Sequence, residues 1–437
     1  MIDSPAQIVI VDDNKNHLRA IVETFHKEGI SCLGLHHTPE HPLNPKYFRG
    51  VRVLFLDLHL LPSATLGGEQ HFGYLAQLLE ECISSEGGPF ALLLWTKYDE
   101  DFKSLIQYLD NTQELSKHDR PIAYGIIAKD KFLRPEEDTV ENHAGLIKEI
   151  ENAIQLAPQL KAIFTWERDV QSAIRSTLAS MLDLVSSENR SSELYPAELE
   201  TLLSRLAIEA VGEKNVSKDP RAALDASLVP ILADKISNGR VPQDLELWRS
   251  VINESNITSL SPIESASLNR MLHVAIPDPE TILGSDWGAV VDLPARLESD
   301  QEFRSHFGQT LAEVIENHFK VSRDKHDQCA AKFVRIGAPC DYAQQRSGPI
   351  SYLLALEVPA SESRRKKRPQ AVWLSPLLSI DQRKVFRLLV SSVYPFTVLS
   401  CQTSSWTANY RLREPLLMEL LHEFGTYSTR PGKISFE

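Results

Sequence analysis

Cysteine is scarce in this chain: Cys32, Cys82, Cys329, Cys340 and Cys401 are the five among 437 residues. They are scattered and odd in number, which argues against a disulfide framework and for a reducing interior with mostly structural thiols. No apolar run approaches the roughly 18–20 residues of a membrane-spanning helix. The first residues lead straight into a strand pattern, without the charged and apolar regions of a secretory leader, so a cytoplasmic protein is expected. Positive charge is in deficit, with 46 Lys and Arg against 59 Asp and Glu and a formal net charge of −13. That balance disfavours a generally basic nucleic-acid surface. A Walker-type glycine loop and a helix-turn-helix with a basic recognition helix are also missing. What is present is a globular composition, 42% hydrophobic and 24% charged, on a chain long enough for two or three domains.

The most informative pattern lies in the first third. Ile8–Val11 is an apolar run that ends in the acids Asp12 and Asp13. Val53–Leu56 ends in Asp57, Ala91–Trp95 in Thr96, and Tyr124–Ala128 in Lys129. Short apolar runs of this kind are the mark of parallel strands buried on both faces. Between them lie stretches with helical spacing: His17–Glu28 followed by Gly29, then Phe72–Cys82, Asp101–Leu109 and Glu141–Leu156. Strands alternating with helices predict an α/β fold with a doubly wound parallel sheet. In such a sheet the ligand crevice lies at the carboxyl ends of the strands, where all five polar residues fall.

The residue types suit phosphoryl transfer to a carboxylate. Aspartate can act as a nucleophile and form an acyl phosphate. The incoming group brings negative charge beside carboxylates, which a hard dication such as Mg2+ offsets, held by Asp12, Asp13 and Asp57. Lys129 supplies a compact positive charge for a phosphate oxygen, and Thr96 a hydroxyl.

On these residues (the Asp12-Asp13 pair, Asp57, Thr96, and Lys129 followed by Asp130) the first 157 residues resemble the receiver domain of two-component response regulators. The resemblance implies the flavodoxin-like receiver fold over 1–157, a doubly wound five-stranded parallel sheet. It implies a bacterial phosphorelay in which a histidine kinase or phosphotransfer protein donates a phosphoryl group to Asp57, the phosphoacceptor. Output would be a protein–protein contact, or none beyond a phosphate sink, as in standalone receivers, some of them in antiphage defence. A receiver that keeps the fold without being phosphorylated is a further reading. The chain departs from a compact receiver in two places. Leu58–Phe72, with His59, Pro62, Gly67 and Gly68, enlarges the loop beside the acceptor, and His36–Tyr47 reads as loop where a helix is usual. A switch aromatic on the fifth strand is expected near Tyr124 or Ile127.

The remaining two-thirds carry no recognisable family pattern. Residues 158–275 read as a helical connector or bundle. Phe164–Val185 has a long apolar stripe, read as an ordinary core helix with a homodimer seam as the alternative. The run Ser186–Ser192 marks a break, and Pro196–Ala210 and Arg221–Ile236 are further amphipathic helices. Residues 276–437 read as a β-rich α+β domain, a small antiparallel sheet or partly open barrel. Its strands are expected at Ala289–Val291, Phe333–Ile336, Tyr352–Leu356, Ala371–Leu374 and Phe386–Val393, with helices at Gln309–Phe319 and Glu414–Tyr427. Cys340 and Asp341 with His326 or His422 offer an alternative function, an effector enzyme with a hydrolytic site. The commoner reading is a small thiol beside a turn carboxylate. His326, Cys329, Cys340 and Asp341 lack the paired spacing of a structural zinc site. The basic run Arg364–Arg368 carries no aromatics and reads as a solvated hairpin loop.

Overall fold

Five strands open the computed structural model: β1 (Ile8–Asp12), β2 (Leu33–His36), β3 (Val53–Leu56), β4 (Ala91–Thr96) and β5 (Ala123–Ala128). The structure describes residues 6–61, 68–83, 87–97, 100–134, 137–155, 157–239, 245–252, 259–277, 282–343, 348–361, 369–381, 384–403 and 405–430. All four strand pairings are parallel, in the order β2-β1-β3-β4-β5. This is a doubly wound sheet whose order reverses between β1 and β3. The pleat sends Val9, Val11, Leu54, Leu56, Leu92 and Leu94 to one face, and Ile10, Phe55, Leu93, Trp95 and Ile127 to the other. Helices α2 (Gly68–Cys82) and α3 (Phe102–Asn111) cover the first face, through Leu75, Leu79, Leu105 and Leu109. Helices α1 (Lys15–Lys27) and α4 (His143–Gln155) cover the second, through Leu18, Ile21, Phe25, Leu146 and Ile150. Each such side chain, moved from water to the core, contributes about 1.5–3 kcal/mol. With both faces buried the strands cannot alternate apolar and polar residues, so they appear in the sequence as unbroken apolar runs.

Local signals fix the helix ends. Asn14 caps α1, its side chain accepting from the amides of Asn16 and His17. The helix stops at Gly29, which adopts φ +69° while Ile30 N donates to Phe25 O at 2.9 Å. Between β2 and β3 there is one 3-10 turn, Pro45–Phe48, in place of a helix. The Pro- and His-rich composition of that connection is the reason.

The chain forms two compact units, Met1–Ala179 with Leu232–Asn256, and Ser180–Ile231 with Ile257–Glu437. The helical segment expected at 158–275 is therefore divided between them. Helix α5 (Pro158–Leu182) belongs almost wholly to the first. Helix α6 (Tyr195–Val211), the short α7 (Glu213–Val216) and α10 (Pro262–His273) belong to the second. The chain between carries α8 (Pro220–Asn238) and α9 (Leu245–Val251).

The second unit holds a seven-stranded sheet built from β6 (Val274–Ala275), β7 (Ala289–Asp292), β8 (Ala330–Ile336), β9 (Pro349–Pro359), β10 (Val372–Leu374), β11 (Phe386–Leu399) and β12 (Tyr410–Leu412). Its order is β10-β11-β9-β8-β7-β12-β6, with every pairing antiparallel. β11 shifts register against β9 between Val390 and Pro395. Proline has no ladder donor and is tolerated at such an irregularity. Both faces of this sheet are buried too. Along β9, Tyr352, Leu354 and Leu356 join a core with Phe303 of α11 (Asp300–Phe307) and with Val314 and Ile315 of α12 (Leu311–Asn317). Leu353 and Ala355 join the opposite core with Leu416, Leu417 and Leu420 of the C-terminal helix α13 (Glu414–Ser428).

Candidate functional site

The crevice between β1 and β3 gathers three of the five strand-end residues. Asp12 closes β1, wholly buried, with Oδ1 accepting from Asn14 N at 2.8 Å and its carbonyl accepting from His37 N at 2.9 Å. Asp57 follows β3 and is pinned by its own amide donating to Val11 O at 3.1 Å. Lys129 follows β5 on a 3-10 turn, Lys129–Lys131, whose close is set by Leu133 N donating to Lys129 O at 2.8 Å. That turn sends the lysine side chain back over the sheet edge. Its Nζ stands 2.8 Å from Asp12 Oδ2 and 2.5 Å from Asp57 Oδ2, at 1% exposure. An ammonium is removed from water at high cost, and two carboxylates at contact distance are what offset it.

Thr96 ends β4, entirely buried, at the same edge of the sheet. Asp13 stands apart: it is exposed, and its carbonyl accepts from His36 Nε2 at 2.9 Å. The expected carboxylate pair therefore splits into one buried acid and one in solvent, because successive side chains at a strand end point opposite ways.

A residue that sequence reasoning passed over takes the third place. His17, in the first turn of α1, is buried with Nδ1 3.3 Å from Lys129 Nζ and Nε2 3.3 Å from Asp138 Oδ1. Among the described residues, the one group of three potential metal ligands is Asp12, His17 and Asp57, whose ligand atoms lie within 4.8 Å of one another. Electrostatics follow from burial. Desolvation pushes the Asp12 carboxyl up to about 6, held back by the Lys129 charge and raised further by Asp57. His17 is pushed below the usual imidazole range, first by burial and then by Lys129, with Asp138 opposing. Two carboxylates fit a hard dication such as Mg2+. The imidazole is a donor that the resemblance does not supply.

Two more imidazoles stand beside the acceptor, His59 in the loop after β3 and His71 in α2. His59 and His71 stack with centroids 4.3 Å apart, His59 N donates to Asp57 Oδ1 at 3.4 Å, and His59 Nε2 lies 3.8 Å from Asp101 Oδ2. Residues 62–67 of that loop are outside the described residues. On β5, Tyr124 faces the α2–α3 side and donates to Asp110 Oδ1 at 3.1 Å, whereas Ile127 is buried on the opposite side.

In the second unit, His326 Nε2 lies 3.3 Å from Val321 O and Cys329 Sγ donates to Lys325 O at 3.4 Å. Both are local contacts that hold a 3-10 segment. The Cys340 side chain and the run Arg364–Arg368 lie outside the described residues. No described helix is long and apolar enough to cross a membrane. No protein-family model, curated protein or solved structure matches the chain.

Proposed function

We propose that the N-terminal unit is a receiver-like phosphoacceptor and that Asp57 takes a phosphoryl group from a histidine kinase or phosphotransfer protein. The observation that carries this reading is the convergence of Asp12, Asp57 and Lys129 at the β1/β3 reversal of a 2-1-3-4-5 sheet. An Asp57 carboxylate oxygen attacks phosphorus, the phosphorus–nitrogen bond of the donor phosphohistidine breaks, and the leaving imidazole keeps the electron pair and takes a proton. Asp12 and Asp57 would hold Mg2+, which supplies positive charge against the transferring group. Lys129 is already within contact of Asp57 and is the protein's own cation for a phosphate oxygen. Thr96, at the end of the neighbouring strand, supplies a hydroxyl. Phosphorylation adds charge where Lys129 now bridges two acids, so the pairing at the sheet edge must rearrange, and that rearrangement is the signal. Output is a protein–protein contact or a phosphate sink.

The test uses beryllofluoride with Mg2+, which mimics an acyl phosphate. Present at about 100 times its dissociation constant, a ligand of the folded form alone adds about 2.7 kcal/mol of stability. The full chain should show a raised unfolding temperature, and intact mass should report phosphoryl uptake from a small-molecule phosphodonor. Asp57→Asn should abolish both. Equal responses in wild type and Asp57→Asn would refute the assignment.

A further inference from the structure

We propose that Asp12, His17 and Asp57 form a mixed nitrogen–oxygen site for a first-row transition-metal dication, oriented by Asp138, with the Lys129 ammonium at its centre as an internal competitor. Three donor atoms surround Lys129 Nζ: Asp57 Oδ2 at 2.5 Å, Asp12 Oδ2 at 2.8 Å and His17 Nδ1 at 3.3 Å. The point they define is already a cation site, filled by the chain itself.

The imidazole is set for ligation. Asp138 Oδ1 lies 3.3 Å from His17 Nε2, so the ring proton belongs on Nε2 and the Nδ1 lone pair is left for the cation position that Lys129 Nζ now holds, 3.3 Å away. A carboxylate behind a histidine is the support that orients metal-bound imidazoles and raises their basicity. The arrangement has a backbone cost. Asp138 sits at φ +50°, one of two described non-glycine residues with positive φ. Its amide donates to Arg134 O at 3.0 Å, and its second oxygen accepts from Asn16 Nδ2 at 3.5 Å. Asp12 adds an independent sign. It is wholly buried, and its Oδ2 accepts no well-directed hydrogen bond although Lys129 Nζ is 2.8 Å away. A buried carboxylate oxygen neutralised by charge but not by direction is suited to a metal ion, which offers charge without a fixed donor axis.

Donor type then selects the metal. Magnesium prefers an all-oxygen shell and keeps much of its water, whereas imidazole suits cobalt, nickel, zinc and iron. Lys129 and the dication cannot share one centre, so binding must drive the ammonium aside. That frees it toward an oxygen of whatever group Asp57 carries. The site shares Asp12, Asp57 and Lys129 with the reading above, yet it is tested without phosphoryl uptake, so either can fail alone.

The experiment is metal titration of the full chain, with Co2+ and Mn2+ against Mg2+, read by calorimetry, by the visible spectrum of Co2+ and by nitrogen coupling in the Mn2+ resonance. Tighter binding of Co2+ than of Mg2+, with a nitrogen ligand, is expected. His17→Ala should erase that preference while leaving Mg2+ affinity in place. Asp138→Asn, which tolerates the left-handed backbone and so keeps the loop, should weaken Co2+ by about 10–100-fold. Lys129→Gln should tighten every dication. Should His17→Ala fail to fold, the Asp138→Asn result decides. Co2+ bound no tighter than Mg2+, or a Co2+ spectrum and affinity unchanged in His17→Ala or Asp138→Asn, overturns the assignment.

Discussion

The two sheets of this protein bury charge in different ways. In the parallel sheet the buried charged residues sit just at or past the strand ends, and three of them, from three different strands, meet at one point: Asp12, Asp57 and Lys129. In the antiparallel sheet buried and half-buried charges sit within strands and find partners on or beside the neighbouring strands. Lys332 on β8 reaches Asp292 Oδ1 at 2.5 Å and Asn409 Oδ1 at 3.1 Å. Glu357 on β9 accepts from Tyr410 Oη at 3.1 Å. Arg335 donates to the neighbouring carbonyl of Ile336. A charge inside a ladder is held by the strands on either side of it. A charge at a carboxyl end projects into the space where loops meet, and several can share it. Convergence, more than burial, separates the candidate site from the scaffold.

The largest effect that would break this contrast comes from Lys129. Replacing it by Met leaves Asp12 and Asp57 facing each other in a buried crevice without their common partner. Removal of one member of a buried ion pair costs about 3–5 kcal/mol. Denaturant unfolding of the full chain at pH 7.5 should show a loss of that order, and lowering the pH should restore part of it as one carboxyl takes a proton. A loss under about 1 kcal/mol would mean the cluster is hydrated like a surface pair.

Asp12 gives the second effect, opposite in sign. Its carboxyl is raised from 3.8 to about 6 in the folded protein. The folded chain therefore binds more protons than the unfolded chain between those values, and stability falls as pH rises through that window. The shift corresponds to roughly 3 kcal/mol of destabilisation once Asp12 is ionised. Asp12→Asn should remain paired through Lys129 to Asp57, unfold later than wild type at pH 7.5, and lose that advantage near pH 4. A gain at the expense of the site is the usual relation between function and stability. No gain at pH 7.5 would show that Lys129 fully compensates the burial.

Much of this was legible in the sequence, for a physical reason. The first-unit strands appear as unbroken apolar runs because both faces of the sheet are covered, and the parallel order puts functional groups at their ends. Asp57, Thr96 and Lys129 were therefore readable as strand-end residues. His17 was not. It lies in the first turn of an amphipathic helix, where a histidine looks like any helical residue, and it meets Lys129 only across the sheet edge. Asp138 shows no local signal either, since its role rests on a backbone angle. Asp13 looked equivalent to Asp12, and only the strand-end geometry separates a buried acid from an exposed one. In the second unit, β7 to β11 were visible as apolar runs, whereas the two- and three-residue strands β6 and β12 are too short to carry a pattern. The strand order there depends on pairings between residues far apart, which composition does not encode.

Lys332 provides the smallest effect and the sharpest control. Like Lys129 it is a buried lysine with a carboxylate at 2.5 Å. Unlike Asp57, its partner Asp292 has a side chain that is 67% exposed. Lys332→Met keeps the aliphatic stem against the sheet and leaves Asp292 in water, where it needs no partner. The pair should behave as a surface salt bridge worth about 0–1 kcal/mol, and beryllofluoride binding should be untouched. The two lysines thus differ in where their carboxylates stand and hardly in their own burial. If Lys332→Met cost as much as Lys129→Met in the same unfolding measurement, the burial of the lysine would govern the energy. Convergence at the strand ends would then lose its claim to mark the site.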